Sequence, residues 1–348
     1  MEEQSAISSR DLAIGFRSAG RRRASLTVAD HIDINLRRGE VVCLLGPNGS
    51  GKSTLIRTLA GLHAPLDGNI YLSGEHITDL SVKEISRRVS TVLTDRLTIG
   101  NISVYDLVAF GRSPYTGWFG SLSPEDEERV AWAIESAGIA HLRERDVLHL
   151  SDGERQKVMI ARSLAQDTSA ILLDEPTAHL DLPNRVATIR LLRALAHETG
   201  KAVLLSTHEL DLALKAADTL WLLNQKGRIT AGTPEDLVLD GTFEAVFEQA
   251  GFDFDRSTGS VRLHEPSRGP VFLSGDPTGT FWTRRALERS GYRVNESEKG
   301  DIRIEIAVNQ RICGFSWIIQ CRGDAYSHSS VRELLVELSR LDEAKDAP

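Results

Sequence analysis

The chain is short of cysteine, of positive charge and of long apolar runs. Its three cysteines, Cys43, Cys313 and Cys321, form no C-x-x-C pair, which excludes a disulfide framework. They are expected to be reduced thiols of a cytosolic protein, with Cys43 a small core residue. No uninterrupted apolar stretch nears the roughly 20 residues that a membrane-spanning helix needs. The start, Met1-Glu2-Glu3-Gln4, is acidic and lacks the apolar core of a secretory signal, so none is expected. Lys and Arg number 41 against 49 Asp and Glu, a net charge of −8 that argues against nucleic acid as a partner. The basic run Arg21-Arg22-Arg23, beside Gly20, is expected to be a solvated loop. Internal repeats and low-complexity tracts are also missing. What remains is ordinary globular composition, 41% hydrophobic and 26% charged over 348 residues. That length suggests two domains, or one large domain with an appendage.

The chain is organised around Gly46-Pro47-Asn48-Gly49-Ser50-Gly51-Lys52-Ser53-Thr54. An apolar run, Val41 to Leu45, precedes it, and a stretch with helical character, Leu55 to Ala60, follows. Strand, glycine-rich loop and helix are the context of a phosphate-binding loop. The glycines let successive N–H groups turn inward onto phosphate oxygens, and the helix adds its positive end. Lys52 is placed to meet the β- and γ-phosphates, and the Ser53 hydroxyl to ligate Mg²⁺. The chain is expected to bind a nucleoside triphosphate.

Ahead of this loop, alternating stretches such as Leu12 to Phe16 and Ile32 to Leu36 predict half-buried antiparallel strands. Behind it, Asn69 to Ile77 reads as a hairpin about Ser73-Gly74. Ser81-x-x-Glu84, Ser103-x-x-Asp106 and Ser151-x-x-Glu154 open helices, as does Ser123-Pro124. Ala170 to Leu173 and Ala202 to Leu205 are short continuous apolar runs, as in strands buried on both faces. Strands alternating with helices predict an α/β fold with a mostly parallel sheet covered on both sides. We expect residues 1–250 to form this domain, 251–270 a linker, and 271–348 a small α+β appendage. Gly275 to Thr280 is expected to be a plain β–α turn, since it lacks the lysine of a phosphate loop.

The strand at Ile171 ends in Asp174-Glu175, two carboxylates at the sheet edge where the phosphate loop also lies. Asp174 suits the Mg²⁺ shell, and Glu175 suits a water poised for in-line attack on the γ-phosphorus. Leu150 to Gln156 heads a capped helix whose N-terminus, with a serine hydroxyl, is an anion site. With His208 at the end of the following strand, the ordered set resembles the ATP-binding cassette (ABC) family over residues 5–250. The resemblance implies a P-loop ATPase core with an antiparallel β subdomain and a helical subdomain. It implies ATP and Mg²⁺ as cofactors, Phe16 stacked on adenine, Asp174 as the Walker B aspartate, Glu175 as the catalytic base and His208 as the switch histidine. Ser151, Asp152, Gly153 and Glu154 match the signature that closes on ATP from a second subunit. Asp181 matches the loop that communicates across that head-to-tail dimer.

Three positions depart from the family. Thr94 stands where a glutamine ordinarily senses Mg²⁺, Asp152 replaces the first signature glycine, and Glu154 replaces the signature glutamine. Tyr105 to Tyr115 resembles importers of iron-siderophore, haem or cobalamin, in that order of expectation. Such a subunit works on the cytoplasmic face of the plasma membrane with integral membrane permease subunits, served indirectly by a substrate-binding protein. Tyr115, Trp118 and Phe119 are the expected socket for the permease, with packing inside the helical subdomain as the alternative. The alternative is a non-transport ABC switch acting in assembly or repair, although no long coiled-coil insertion and no second cassette is present.

Overall fold

The structure, a computed structural model, describes residues 5–17, 25–93, 101–117, 120–247, 253–256, 259–262, 268–295, 302–309, 314–321 and 323–346. The Arg21-Arg22-Arg23 run, Thr94, Trp118, Phe119 and Cys313 therefore lie outside the described residues. Two compact units emerge, residues 1–251 with 256–259, and residues 252–255 with 260–348.

The first unit opens with two long strands, β1 (Ser5–Arg17) and β2 (Ser25–Arg37), paired antiparallel. Their alternation drives one face inward: Ile7, Leu12, Ile14, Ile32, Ile34 and Leu36 are all buried. β3 (Val41–Leu45) is buried along its whole length and leads into the phosphate loop and α1 (Lys52–Leu59). β4 (Asp67–Leu72) and β5 (Glu75–His76) form the expected hairpin, turning at Ser73 and Gly74, whose φ values are 51° and 85°. β1, β2, β4 and β5 make one sheet in the order β2-β1-β4-β5.

The chain continues through α2 (Val82–Arg88), β6 (Val89–Val92), α3 (Val104–Ala109), α4 (Pro124–Ser136) and α5 (Asp152–Ala165). The serine cap expected at each of these four helices is present, with the reciprocal acid three residues on. β7 (Ala170–Leu173), α6 (Leu182–Thr199), β8 (Ala202–Ser206), α7 (Leu210–Ala216), β9 (Thr219–Leu223) and β10 (Ile229–Gly232) follow, and α8 (Pro234–Leu239) and α9 (Thr242–Phe247) close the unit. The second sheet has the order β10-β9-β3-β8-β7-β6, parallel except for the antiparallel edge strand β10. α1 packs between the two sheets, with Leu55, Ile56 and Leu59 fully buried in one core with Ile7, Leu12, Val42 and Leu44.

α3, α4 and α5 pack on one another as a helical cluster. Its polar lock is Arg112, just after α3, which donates to Asp126 of α4 at 2.8 Å and to the Ala165 carbonyl at the end of α5 at 2.8 Å. Both charged side chains are buried. Burial would raise the Asp126 carboxyl, but hydrogen bonds from Ser123 and Arg112 outweigh it and hold it below its ordinary value. The Tyr115 ring is clamped between Arg87 and Arg112, 4.9 and 4.0 Å from their guanidinium carbons. The ring is half-buried there.

The second unit begins with a short hairpin of β11 (Asp253–Asp255) and β12 (Ser260–Arg262). β13 (Arg268–Gly275), α10 (Pro277–Arg289) and β14 (Tyr292–Asn295) form a β-α-β crossover of parallel strands. β15 (Ile302–Asn309), β16 (Gly314–Cys321), β17 (Asp324–His328) and α11 (Val331–Asp346) complete it. The sheet order is β14-β13-β15-β16-β17. Val271, Ile304, Ile306 and Ile319 share a core with Leu287 of α10 and Leu334 and Leu338 of α11. Trp317 donates its indole N–H to buried Thr283 at 2.8 Å, which ties β16 to α10.

Breaking the Arg112–Asp126 pair from one side leaves a buried carboxylate without its cation. Arg112→Ala is expected to cost the cassette roughly 3–5 kcal/mol in urea denaturation. The Asp126 shift has a definite sign. Its contribution is present above the unfolded carboxyl's range and is lost as pH falls through the lower folded value. The difference between wild type and variant should therefore shrink on acidification, and a constant difference would refute the pairing.

Candidate functional site

Three neighbouring strands build the site. β8 lies between β3, which carries the phosphate loop, and β7, which carries the acidic pair. All three are parallel, so their C-terminal ends lie at one edge. The loop leaves β3 at Gly46, where a Cβ would stand 2.2 Å from the Leu223 carbonyl of β9. Gly51, with φ 105°, caps α1, and a Cβ there would meet Val28 of β2 at 2.4 Å. Glycine is required at both positions by close approach, and at Gly51 by the left-handed backbone too.

Lys52 is buried inside this loop. Its ammonium donates to the carbonyls of Gly46 at 2.8 Å and Pro47 at 3.1 Å. Burial lowers its pKa, and the charges of Glu175 and Asp174 oppose that shift. The Ser53 hydroxyl donates to Asp174 at 3.0 Å, which joins the loop to the acidic pair. His208 and Glu175 meet at 2.5 Å between Nε2 and Oε1. Lys52, Ser53, Asp174, Glu175 and His208 are thus drawn to one place by the edge of the sheet.

Glu175 has a φ of 50°, in the left-handed region that a residue with a side chain seldom adopts. Its N–H donates to Ser206 at 2.9 Å, and the Ser206 hydroxyl donates to Asp174 at 2.7 Å. The sequence reading passed over Ser206. The signal was available, since it is a hydroxyl that ends an otherwise apolar buried strand beside His208.

The residues present fit a magnesium nucleotide. Ser53 and Asp174 offer the hard oxygen atoms that Mg²⁺ takes. The Ser50 hydroxyl is buried with no hydrogen-bond partner, and a Cβ at Gly49 would meet only open space. Both observations suit a loop made to surround phosphate oxygens; Asn48 and Thr54 lie in the same loop and first helical turn. Phe16, half-exposed near the end of β1, meets His63 edge-on with ring centroids 6.1 Å apart. Ile14, two residues earlier, lies against Gly51, so the end of β1 borders the loop.

The signature residues lie elsewhere. Ser151 caps α5, accepting from the Glu154 N–H at 3.3 Å while its own hydroxyl donates to the Glu154 carboxylate at 2.8 Å. Hydrogen bonds from the Ser151 backbone and side chain hold the Glu154 carboxyl below its usual value. Asp152 is exposed, 4.0 Å from Arg155. Gly153 is packed so closely that a Cβ would stand 2.8 Å from the Asn184 side chain of α6. Asp181 caps α6 by accepting from the Asn184 N–H at 3.0 Å. These residues form a second cluster, whose partners lie on α5 and α6 and not on the phosphate loop.

Residues 29–178 match a family model described as ABC transporter, and residues 268–339 match one described as Iron ABC transporter C-terminal domain. The achromobactin transport ATP-binding protein of Dickeya dadantii is 38% identical over 242 residues, 70% of this chain and 87% of that protein. The chain belongs to the ABC transporter ATP-binding family. The ferric enterobactin transport ATP-binding protein of Escherichia coli is also 38% identical, across 64% of this chain and 82% of its own length. A solved metal-chelate type ABC transporter in an inward-facing conformation aligns with a TM-score of 0.59 and 28% identity, covering 70% of this chain and 89% of that one. The chain is accordingly an ABC ATPase that binds ATP, with the P-loop fold expected of it. No helix among its described residues is long and apolar enough to cross a membrane.

Two substitutions separate binding from turnover at this ABC site. Lys52→Ala should abolish ATP hydrolysis by removing the buried cation from the loop. Glu175→Gln should retain ATP binding while lowering kcat by about 100-fold or more, the scale of a lost general base. Steady-state hydrolysis beside equilibrium ATP binding decides it, and undiminished hydrolysis by Glu175→Gln would remove Glu175 from the base's role.

Proposed function

We propose that this ABC ATPase energises a membrane importer of a metal chelate, with iron-siderophore complexes first, haem second and cobalamin third. The match of residues 268–339 to an iron-transporter domain carries the reading. The relatives named for achromobactin and ferric enterobactin transport support it. The non-transport switch considered from sequence finds no such support.

In this reading Lys52 and the loop N–H groups hold the triphosphate of ATP, and Phe16 stacks on the adenine. Ser53 and Asp174 would hold Mg²⁺. When bound, the ion neutralises charge on the β- and γ-phosphates. Glu175 orients and deprotonates the attacking water, and His208 holds the Glu175 carboxylate in place. Ser151 to Glu154 face the nucleotide of a second copy, so two chains act as a head-to-tail dimer. The dimer docks on integral membrane permease subunits at the cytoplasmic face of the plasma membrane, and a substrate-binding protein serves it indirectly. Phe110 at the end of α3 and Leu148 before α5 are large, exposed apolar residues suited to the permease contact. Residues 1–250 act as the cassette and 271–348 as an accessory domain, and the stretch 251–270 between them carries β11, β12 and the start of β13.

Cells with and without the chain should differ in uptake of labelled ferric siderophore. Haem and cobalamin uptake, run in parallel, rank the alternatives. If none of the three depends on the chain, the chelate assignment fails and ATP hydrolysis is untouched by that result. Truncation near Ser260 should leave a folded ATPase with most of its basal rate, and an insoluble or inactive product would place the residues beyond that point within the cassette's own fold.

A further inference from the structure

Ser206 occupies a position where the rest of its strand is apolar. Ala202, Val203, Leu204 and Leu205 precede it in β8, and all five residues are buried. A buried hydroxyl is unfavourable unless both its donor and its acceptor find partners. Here both do. The hydroxyl donates to Asp174 Oδ1 at 2.7 Å and accepts from the Glu175 N–H at 2.9 Å. The oxygen it meets is the one that also accepts from Ser53 at 3.0 Å.

Position in the sheet explains why this strand supplies the contact. β8 pairs with β3 on one side, Leu44 opposite Ser206, and with β7 on the other, Leu173 opposite Leu205. A side chain at its end is the bridge between the phosphate-loop strand and the acidic strand. Two residues later the same segment presents His208 to the Glu175 carboxylate at 2.5 Å. Glu175 is therefore held at both ends from one strand, its backbone by Ser206 and its carboxylate by His208. Its left-handed backbone makes the first grip necessary, because such a conformation persists only where the surroundings fix it.

We propose that Ser206 is a positioning residue for ATP hydrolysis: its hydroxyl fixes the Asp174 carboxylate and the Glu175 backbone relative to each other. The metal-holding and water-orienting groups then keep one geometry while the loop fills and empties. The inference rests on the roles given above to Asp174 and Glu175.

The test uses the full chain with Ser206→Ala, Ser206→Thr and Glu175→Gln, measuring kcat, KM for ATP, ATP binding with and without Mg²⁺, and Tm. Ser206→Ala should lower kcat by about 10- to 30-fold while KM stays within about 3-fold, the pattern of geometry lost in the transition state. ATP binding without Mg²⁺ should be unchanged, whereas the tightening that Mg²⁺ brings should weaken by about 3-fold or more, since Asp174 is no longer aimed. Tm should move by only a few degrees, and Ser206→Thr, which keeps the hydroxyl, should recover most of kcat. Wild-type kcat and Mg²⁺ dependence in Ser206→Ala would overturn the proposal. So would a uniform loss of ATP binding with a large fall in Tm, which would make the hydroxyl a folding contact only. Glu175→Gln separates the two claims. If it hydrolyses ATP normally, the site assignment itself has failed; if it is dead while Ser206→Ala is normal, only the role of Ser206 has.

Discussion

The hydrogen bond from Ser53 to Asp174 spans 121 residues of sequence and ties the two halves of the nucleotide site together. It depends on the order of strands in the parallel sheet. β3 and β7 are not neighbours, and the gap between them is filled by β8. That gap is small enough for a serine on the helix after β3 to reach an aspartate after β7. A parallel sheet gathers all its C-terminal ends on one edge, which is where ligands bind in folds of this class. The register of β8 against both neighbours thus sets the distance between Lys52 and the acidic pair. Burial along β3, β7 and β8 holds that register, because a slip would move side chains out of a core packed on both faces.

The same constraint explains the electrostatics. Removal of Lys52 from water disfavours its charged form, while Glu175 and Asp174 act on it in the opposite sense. The cation and the carboxylates are mutually stabilising across the sheet edge. Lys52 stands preformed beside two carboxylates already tied down by Ser53, Ser206 and His208. Little side-chain motion is then left to lose on binding, which is how a preorganised site differs from a flexible one.

Much of this was legible in the sequence, for identifiable reasons. The phosphate loop is a local motif whose spacing carries its own geometry, and the serine caps at 81, 103, 123 and 151 satisfy helix ends with residues three apart. What sequence reading missed was not local. Ser206 gains its meaning from Asp174 and Glu175, more than thirty residues away; its own strand marks it as an unusual hydroxyl but does not name those partners. Tyr115 sits between Pro114 and Thr116, and nothing local shows what covers its ring. Arg87, 28 residues earlier and on α2, closes over it and changes its character. In the second unit Gly275 to Thr280 reads as a β–α turn, and α10 already starts within it, at Pro277. Asp276 followed by Pro277 is a helix start, with the aspartate accepting from Gly279 at 2.9 Å, and glycine at 279 obscured it. The strands β14 and β17 are four and five residues long, and β17 is a polar edge strand with too little alternation to declare itself.

The signature region shows how two unusual residues are accommodated by helix-end physics. A helix N-terminus carries unpaired N–H groups and a partial positive charge, which an anion or a carboxylate can satisfy. In α5 the carboxylate is built in. Glu154 accepts from the Ser151 N–H and hydroxyl, each at 2.8 Å, and its lowered pKa keeps it charged. Arg145 stands 3.5 Å from its other oxygen and balances part of that charge. Asp152 adds a second negative group to the first turn, but its side chain is exposed and faces Arg155. Solvent and the two arginines thus screen what would otherwise be an acidic helix start. For Ser151 to turn its hydroxyl toward a phosphate, it must give up donation to Glu154. That exchange is nearly even, because one charge-assisted hydrogen bond replaces another. The capping box therefore holds Ser151 in one rotamer, and a turn of its hydroxyl toward another anion would cost little.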